Sequence, residues 1–564
     1  MARIALINSP IRVREPPKHI PYGLAILAHR ADLLGHEVVL VDCNAHREYM
    51  RDSIREELKK ENKDRPYSLI GITGLVTTYG FQKEMVPWLR RDFPGALLVA
   101  GGGCASSIPS EMMRWIPELD MVCVGEGENT FLDILDHLED REFGGVQGIM
   151  YREDIPRLPP PTTARKRKHE AKVKKMVEDR SLGKQGSAVR ETPLRPLLTE
   201  DELNKLPYPA WHLLDMEEVY FPNSPLNLSL AAQLARRRID VISERGCPMQ
   251  CTFCFHGRMG GDTIPGKDRL KPMVRWQSAK YVVDMIKYAR LKMAIDFVSF
   301  LDENFLANKK RAFEICDRLE KEDLVGVVQW GVLGHANTAD LELFARLREC
   351  GCTYISYGFE SADQGMLDAM KKMQKVEQTQ RALDLTLKAK LNPLATYMVG
   401  MPGETVESLY NTTRFWVRND ILCGPFFVTP YPSTALFEEN RRLILDQVIA
   451  VNQKEMEEDI LRWFRDHGSP TDLPSPQLID EVRDDRAYET FVLSLGDATK
   501  FTVNLTSFTD PELLGLRDLM VSHDLRRLRL FALTKGITLP EDMEGEVRDV
   551  PDFKEGPMGE AQSP

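Results

Sequence analysis

The chain has 564 residues, too many for one hydrophobic core, and this length predicts three or four domains. Its hydrophobic content of 43% and charged content of 28% are those of an ordinary globular protein, and the net charge of -11 argues against a nucleic-acid partner. No apolar run approaches the roughly 20 residues of a transmembrane segment, and the N-terminus lacks a signal-peptide pattern. The ten cysteines lack the regular spacing of a small disulfide-bonded protein, which favours a reducing compartment. We therefore predict a cytoplasmic protein.

Residues 1–148 alternate short β-branched runs with helical stretches, which predicts a doubly wound, Rossmann-like α/β domain. Five buried parallel strands are expected at residues 4–7, 38–41, 69–72, 97–100 and 121–124. An amphipathic helix with a closing glycine is expected over residues 23–35. No G-x-G-x-x-G follows the first strand, which argues against a dinucleotide site.

Three of these strands end in residues suited to a bulky ligand. Ligands of such sheets bind at the carboxyl ends of the strands. Glycines let a ligand approach the backbone, and hydroxyls and carboxylates supply hydrogen bonds. The candidate binding residues at these strand ends are Thr73, Gly101, Gly102, Ser106, Gly125, Glu126 and Glu128.

Residues 149–235 change character and are predicted to be a linker. Prolines precede a basic insert, Arg165-Lys-Arg-Lys-His169, which is followed by Lys172, Lys174 and Lys175. Such a charge run is usually a solvated face, and a patch for an acidic partner is the alternative.

Three cysteines in the next segment carry the strongest chemical signal of the chain. Cys247, Cys251 and Cys254 have C-x3-C-x2-C spacing, which places three thiolates on one loop. A [4Fe-4S] cube needs four ligands, so its fourth iron would stay open. A structural zinc site normally adds a second Cys or His pair, and no second Cys-x2-Cys exists in the chain.

Residues 236–440 return to strand-loop-helix order, and their first strand, 239–243, leads into the cysteine loop. Five more strands are predicted, at 295–301, 327–330, 354–357, 395–399 and 426–429. In barrels of this kind, functional residues collect at the carboxyl ends of the strands. Four strand ends carry distinctive motifs: Asp302-Glu-Asn-Phe305, Gly358-Phe-Glu-Ser361, Gly400-Met-Pro-Gly-Glu-Thr405 and Pro430-Tyr-Pro-Ser-Thr434.

The C-terminal region differs again. Residues 441–540 are rich in Leu, Arg, Glu and Asp at helical spacing, which predicts a mostly helical cap over the barrel mouth. Residues 541–564 are acidic and rich in Pro and Gly, so disorder is expected there. No cysteine follows Cys423, which argues against an auxiliary cluster on a C-terminal extension.

The cysteine triad and the four motifs, in this order, resemble the radical S-adenosylmethionine (SAM) enzymes. The glycine-rich strand ends of residues 1–148 resemble the cobalamin-binding domain that precedes many radical SAM barrels. The resemblance implies a partial (β/α)6 barrel, a [4Fe-4S] cluster on the three cysteines, SAM on its open iron, and cobalamin on the first domain. It also implies that Phe253, Asp302, Glu360 and Ser361 lie near SAM and that a reductant such as flavodoxin or ferredoxin supplies electrons.

One departure from the wider cobalamin family concerns the ligand below the cobalt. That family uses Asp-x-His-x-x-Gly, whereas Asp42-Cys43-Asn44 has Asn at the His position and His46 comes two residues late. We therefore expect base-off cobalamin with no protein histidine below the cobalt. Radical SAM methylases that lack the histidine are similar in this respect.

The two domains together resemble those of enzymes that methylate an unactivated carbon through a 5′-deoxyadenosyl radical and methylcobalamin. Three alternatives stay open. A cyclase or rearrangement enzyme without methyl transfer has the same architecture, and a sensor would bind cofactors without turnover. A methylthiotransferase would bind a second cluster on Cys43, Cys104 and Cys123. The sequence identifies neither a catalytic base nor the substrate, which could be a small molecule, a peptide or protein, or a lipid.

Overall fold

The computed structural model describes residues 1–11, 16–45, 50–61, 66–156, 163–181, 188–224, 226, 228–256, 274–467, 475–496 and 503–540. Within these ranges the chain forms two larger sheets, each built mainly of parallel strands and surrounded by helices. His46 and residues 541–564, for which the sequence gives specific expectations, lie outside the described residues.

The first sheet has seven strands in the order β2-β1-β3-β4-β5-β6-β7, and the first five are parallel. This arrangement confirms the predicted doubly wound fold. The strands are β1 Arg3–Asn8, β2 Glu37–Asp42, β3 Leu69–Thr73, β4 Leu97–Gly101, β5 Met121–Cys123, β6 Ile149–Arg152 and β7 Val189–Glu191. The helices are α1 Tyr22–Leu33, α2 Met50–Glu61, α3 Tyr79–Asp92, α4 Gly102–Ser107, α5 Pro109–Trp115 and α6 Glu128–Asp136.

The first sheet continues past residue 148, because β6 and β7 extend it with antiparallel pairing. Helix α7, Thr163–Ser181, connects these two strands and carries the basic insert. Val173 is buried, and Arg180 forms ion pairs with Asp120 at 3.2 Å and with Asp154 at 3.0 Å. The lysine side chains described on this helix are exposed. Lys168, Lys172, Lys174 and Lys175 therefore lie on the solvated face of an anchored helix.

The second sheet has six parallel strands in the order β15-β14-β13-β12-β11-β8, an open half-barrel that confirms the predicted partial barrel. Its strands, with those of the short β9–β10 ribbon beside it, are β8 Arg238–Val241, β9 Glu244–Arg245, β10 Arg275–Trp276, β11 Phe297–Phe300, β12 Gln329–Gly334, β13 Cys352–Glu360, β14 Asn392–Val399 and β15 Phe426–Phe427. The third barrel strand begins two residues later than predicted, because the chain turns at Gly326 (φ +78°) and leaves Val327 exposed.

Helices connect and surround the barrel strands. They are α8 Glu200–Leu203, α9 Leu230–Leu234, α10 Ala279–Met293, α11 Lys309–Lys321, α12 Leu341–Glu349, α13 Gln364–Ala369, α14 Val376–Lys388 and α15 Val406–Arg418. The buried faces of five of these helices and the barrel strands form one apolar core, which includes Trp330 and Trp416; the five are α10, α11, α12, α14 and α15.

The C-terminal segment is helical, as predicted. Its helices are α16 Ala435–Val451, α17 Gln453–His467, α18 Pro476–Ser494, α19 Asp510–Val521 and α20 Leu525–Thr534. Phe437 of α16 and Phe491 of α18 share a core with the first sheet and with Met401 of a barrel loop. Tyr79 Oη of the first domain donates to Glu489 of α18 at 2.6 Å. These helices therefore join the first domain to the loops at the top of the half-barrel.

Ser433 in the turn before α16 offers a test of local strain. The related motif has glycine at this position, and Ser433 adopts a left-handed conformation with φ +74°. A non-glycine residue in this region costs about 1–2 kcal/mol, part of which is offset because glycine loses more entropy on folding. We expect Ser433→Gly to raise the free energy of unfolding by about 0.5–1 kcal/mol in chemical denaturation. Ser522→Gly is the matched control, because Ser522 has φ -82°, and this variant should lower the free energy of unfolding.

Candidate active site

A cavity of about 350 Å³ lies between the carboxyl ends of the first sheet and the loop that follows β8. Six of the seven predicted strand-end residues line it: Thr73, Gly101, Gly102, Gly125, Glu126 and Glu128. The seventh, Ser106, does not line the cavity, but its Oγ accepts a hydrogen bond from the nitrogen of the lining residue Gly125 at 3.0 Å. The barrel side of the cavity is formed by residues near the cysteine loop: Ile242, Ser243, Glu244, Arg245, Gly246, His256, Arg275, Gln277 and Glu303.

The part of the cavity that is lined by the first sheet and by helices α1 and α6 is apolar, and we call it the apolar slot. Its walls are formed by Leu6, Leu24, Leu27, Leu69, Val99 and Phe131. Gly71 forms part of its floor, and a Cβ atom there would lie 2.8 Å from Leu6 Cδ2. The sequence analysis missed this slot, although Leu69, Gly71 and Thr73 alternate along one strand and so share a face.

Glycines also shape the strand ends next to the slot. Gly102 has φ +79°, and a Cβ atom there would lie 2.3 Å from Thr73 Oγ1. Gly125 has φ +85°, with no atom within 4 Å of the position of a Cβ. Both positions require glycine for their backbone conformation, and the second leaves space at the cavity wall.

The carboxylates of Glu126 and Glu128 contact arginines of the β9–β10 ribbon. Glu126 also accepts a hydrogen bond from the Leu198 nitrogen at 2.7 Å. Burial raises the pKa of Glu126, but hydrogen bonds from Arg275 and the charge of Arg245 outweigh this effect and hold it below its ordinary value. Both glutamates therefore line the cavity while joining the two domains.

The three predicted cluster cysteines are half-buried on the loop after β9. The Thr252 nitrogen donates to Met370 O at 2.9 Å, and Thr252 O accepts from the Leu436 nitrogen at 2.9 Å, which anchors the loop to two helices. Burial raises the pKa of both Cys247 and Cys254 to about 12, so cluster assembly must release their protons. Across the described ranges no three His, Cys, Asp or Glu side chains are already arranged as a metal site.

Asp302 supports the start of the cysteine loop. It is fully buried, and its carboxylate accepts hydrogen bonds from the Ser243 nitrogen and Oγ, both at 2.5 Å, and from the Glu244 nitrogen at 3.1 Å. Burial raises the pKa of Asp302 above its ordinary value. The Asp302 oxygens are thus engaged with the backbone just before the loop.

Of the other predicted SAM-pocket residues, Phe253 belongs to the cysteine loop and Glu360 is connected to it through Lys372. Glu360 ends β13 with φ +64° and forms an ion pair with Lys372 at 3.2 Å. Lys372 Nζ lies 5.9 Å from the centre of the Phe253 ring. Ser361 Oγ is 3.1 Å from Thr412 Oγ1. Lys372 links Glu360 to the loop, and sequence analysis missed it because it falls in a turn outside the recognised motifs.

Two sequence families match this chain over the parts just described. The B12 binding domain matches residues 11–135, and the radical SAM superfamily matches residues 241–415. The chain contains a radical SAM domain and a B12-binding domain. These matches confirm the resemblance to cobalamin-binding radical SAM enzymes, the fold class and the enzyme class that the sequence predicts. In the parts of the chain that the structure describes, no helix is long and apolar enough to cross a membrane.

Similar proteins include both methyltransferases and a cyclase. An uncharacterized methyltransferase of Pyrococcus horikoshii is 28% identical over 74% of this chain and 78% of its own length. The anaerobic magnesium-protoporphyrin IX monomethyl ester cyclase of Rubrivivax gelatinosus is 24% identical over 74% of this chain, which spans 66% of the cyclase. The radical SAM methyltransferase TsrM of Kitasatospora setae, solved with cobalamin and a [4Fe-4S] cluster, has the same fold, with TM-score 0.58 and 16% identity over 94% of this chain and 100% of TsrM.

Proposed function

We propose that this protein is a cobalamin-dependent radical SAM methyltransferase that methylates an unactivated carbon. The observation that carries the proposal is that one cavity is lined both by the glycine-rich strand ends and by residues flanking the cysteine loop. A methyl carrier bound at the strand ends would face the loop that holds SAM. The names of the Pyrococcus horikoshii relative and of TsrM support methyl transfer.

Two features of the cavity support the proposal that cobalamin binds there in the base-off form. Its apolar slot is suited to a flat aromatic tail, since leucines form its walls and a glycine its floor. Among the described lining residues the one histidine is His256, which belongs to the barrel and pairs with Glu303 at 2.6 Å. Asp42 and Asn44 hydrogen-bond to each other, and neither is among the lining residues. The proposal therefore places no histidine of the first domain below the cobalt.

Cys247, Cys251 and Cys254 suit a [4Fe-4S] cluster, because three thiolates leave one iron open for SAM. When bound, the cluster and SAM supply the radical and cobalamin carries the methyl group. The chain's own residues hold the loop by Thr252, orient its start by Asp302 and keep the site half-buried. We further propose a flavodoxin or ferredoxin as electron donor and the reducing cytoplasm as the location.

A cyclase is the second candidate, because the Rubrivivax gelatinosus relative carries that name. A methylthiotransferase is disfavoured by the geometry of the first sheet. Cys43 directly follows β2 and Cys123 ends β5, and these strands are four positions apart. Four strand spacings amount to roughly 19 Å, which is too far for one cluster. Cys104 is fully buried.

Iron and cobalamin contents distinguish these candidates from a two-cluster enzyme. We expect about four iron atoms per chain after anaerobic reconstitution, together with a cobalamin absorption spectrum. About eight iron atoms without cobalamin would instead support a methylthiotransferase. The measurement needs no substrate.

A further inference from the structure

Four charged side chains join the two domains beside the cavity, and we call Glu126, Glu128, Arg245 and Arg275 the ionic clasp. The two terminal nitrogens of Arg275 lie 2.9 Å from the two carboxylate oxygens of Glu126. Arg245 Nη1 lies 3.1 Å from Glu126 Oε1, and Arg245 Nη2 pairs with Glu128. The glutamates follow β5 in the first domain, whereas the arginines belong to the β9–β10 ribbon.

The arginines depend on these glutamates for their placement. Arg245 and Arg275 are register partners on the antiparallel ribbon. Like charges directly opposite each other destabilise such a pair of strands. Glu126 contacts both guanidinium groups and so compensates this repulsion. The ribbon is therefore held in register by the neighbouring domain.

The ribbon connects the ionic clasp to the cysteine loop. β9 ends at Arg245, and Cys247 follows two residues later. In the chain the cysteine loop lies between the two ribbon strands, because β10 begins at Arg275. Glu128 is the first residue of α6, and Glu126 and Glu128 both line the cavity. A displacement at the clasp therefore changes the spacing between the cysteine loop and the cavity wall.

We propose that the ionic clasp sets the spacing between the cluster loop and the cobalamin site, and that methyl transfer to cobalt depends on it more than radical formation does. This inference rests on the proposed function. In methyl transfer the sulfur–methyl bond of SAM breaks as a cobalt–carbon bond forms. Cob(I)alamin, reduced by the flavodoxin-type donor, supplies the electron pair, and S-adenosylhomocysteine leaves. Radical formation needs only SAM and the reduced cluster, which share one loop. Spacing between the domains therefore matters for the first reaction.

Glu128→Gln tests the clasp because it removes one charge and keeps the size of the side chain. Glu153→Gln is the matched control, since Glu153 forms an exposed ion pair with Arg190 in the same domain. Hydrogen exchange of the cofactor-free protein should become about 10-fold faster in peptides covering residues 121–131 and 244–254 of Glu128→Gln only. In the reconstituted enzyme, the ratio of S-adenosylhomocysteine to 5′-deoxyadenosine should fall at least 5-fold, on the order of 1 kcal/mol. Iron content should remain that of the wild type, and the two products are compared at equal cobalamin loading.

Unchanged exchange in Glu128→Gln, or an equal fall in both products, would overturn the role of the clasp. If Glu128→Gln does not fold, Glu128→Asp shortens the same side chain by one methylene and takes its place in both measurements. Absence of S-adenosylhomocysteine from the cobalamin-loaded wild type would overturn the proposed function itself, and with it the link to methyl transfer. If the wild type forms S-adenosylhomocysteine and the variant loses both products in the same proportion, the role of the clasp is overturned and the proposed function stands.

Discussion

Replacing Cys251 by Ala is expected to abolish 5′-deoxyadenosine formation, with a fall of at least about 100-fold. Loss of a partner that merely supports a ligand already costs 10–100-fold in metal affinity or activity, so loss of a ligand should cost more. Cys251 lies on the loop anchored by Thr252 and is not among the residues lining the cavity. Cobalamin binding should therefore persist in the variant, as its absorption spectrum would show.

Cys423→Ala is the control for this result. Cys423 is also half-buried in the barrel, but it lies outside the loop, with its sulfur 3.8 Å from Ala395 O. It should keep the iron content and the 5′-deoxyadenosine yield of the wild type. Continued 5′-deoxyadenosine release by Cys251→Ala would show that the cluster is held elsewhere.

Gly71→Leu should lower cobalamin affinity by roughly 100-fold while leaving the cluster intact. The new side chain would fill the floor of the apolar slot, where a Cβ atom alone lies 2.8 Å from Leu6 Cδ2. A buried aromatic group removes about 150 Å² or more from water, and at about 25 cal/mol per Å² its exclusion costs several kcal/mol. Each 1.4 kcal/mol is about tenfold in affinity. Titration of cobalamin by its absorption spectrum measures the effect.

Gly145→Leu is the matched control, because Gly145 is exposed in the same domain and has open space around its Cβ position. Its cobalamin affinity should equal that of the wild type. Iron content and the unfolding temperature of Gly71→Leu must also be compared, since overfilling strains a packed region. Wild-type affinity in folded Gly71→Leu would contradict the assignment of the slot to the base tail.

The sequence pattern predicted the strand ends of the cavity because of simple geometry. Parallel strands end at one edge of a sheet, so Thr73, Gly101 and Gly125, each at or just beyond the end of its strand, had to come together. The apolar slot escaped prediction for an equally simple reason. Leu6 and Phe131 have the alternation of ordinary core residues, and the same pattern serves a filled core and an open slot.

The ionic clasp could not be predicted from local pattern either. Glu128 and Arg245 are 117 residues apart, and the glycine-rich context of Glu128 indicated a ligand contact rather than an ion pair. For Asp302 the motif indicated a place near SAM but not its partners, which are Ser243 and Glu244 in the structure. In both cases the partner of a carboxylate depends on tertiary packing, which periodicity does not encode.

In the proposed reaction SAM gives its methyl group to a cobalamin held between the two domains. The most direct measurement uses SAM with a trideuterated methyl group, a chemical reductant and the cobalamin-loaded enzyme, followed by mass spectrometry of the extracted cobalamin. We predict trideuteromethylcobalamin and S-adenosylhomocysteine in equal amounts, with both absent from Gly71→Leu protein that has lost its cobalamin. Unlabelled cobalamin, with 5′-deoxyadenosine as the product from SAM, would contradict this account.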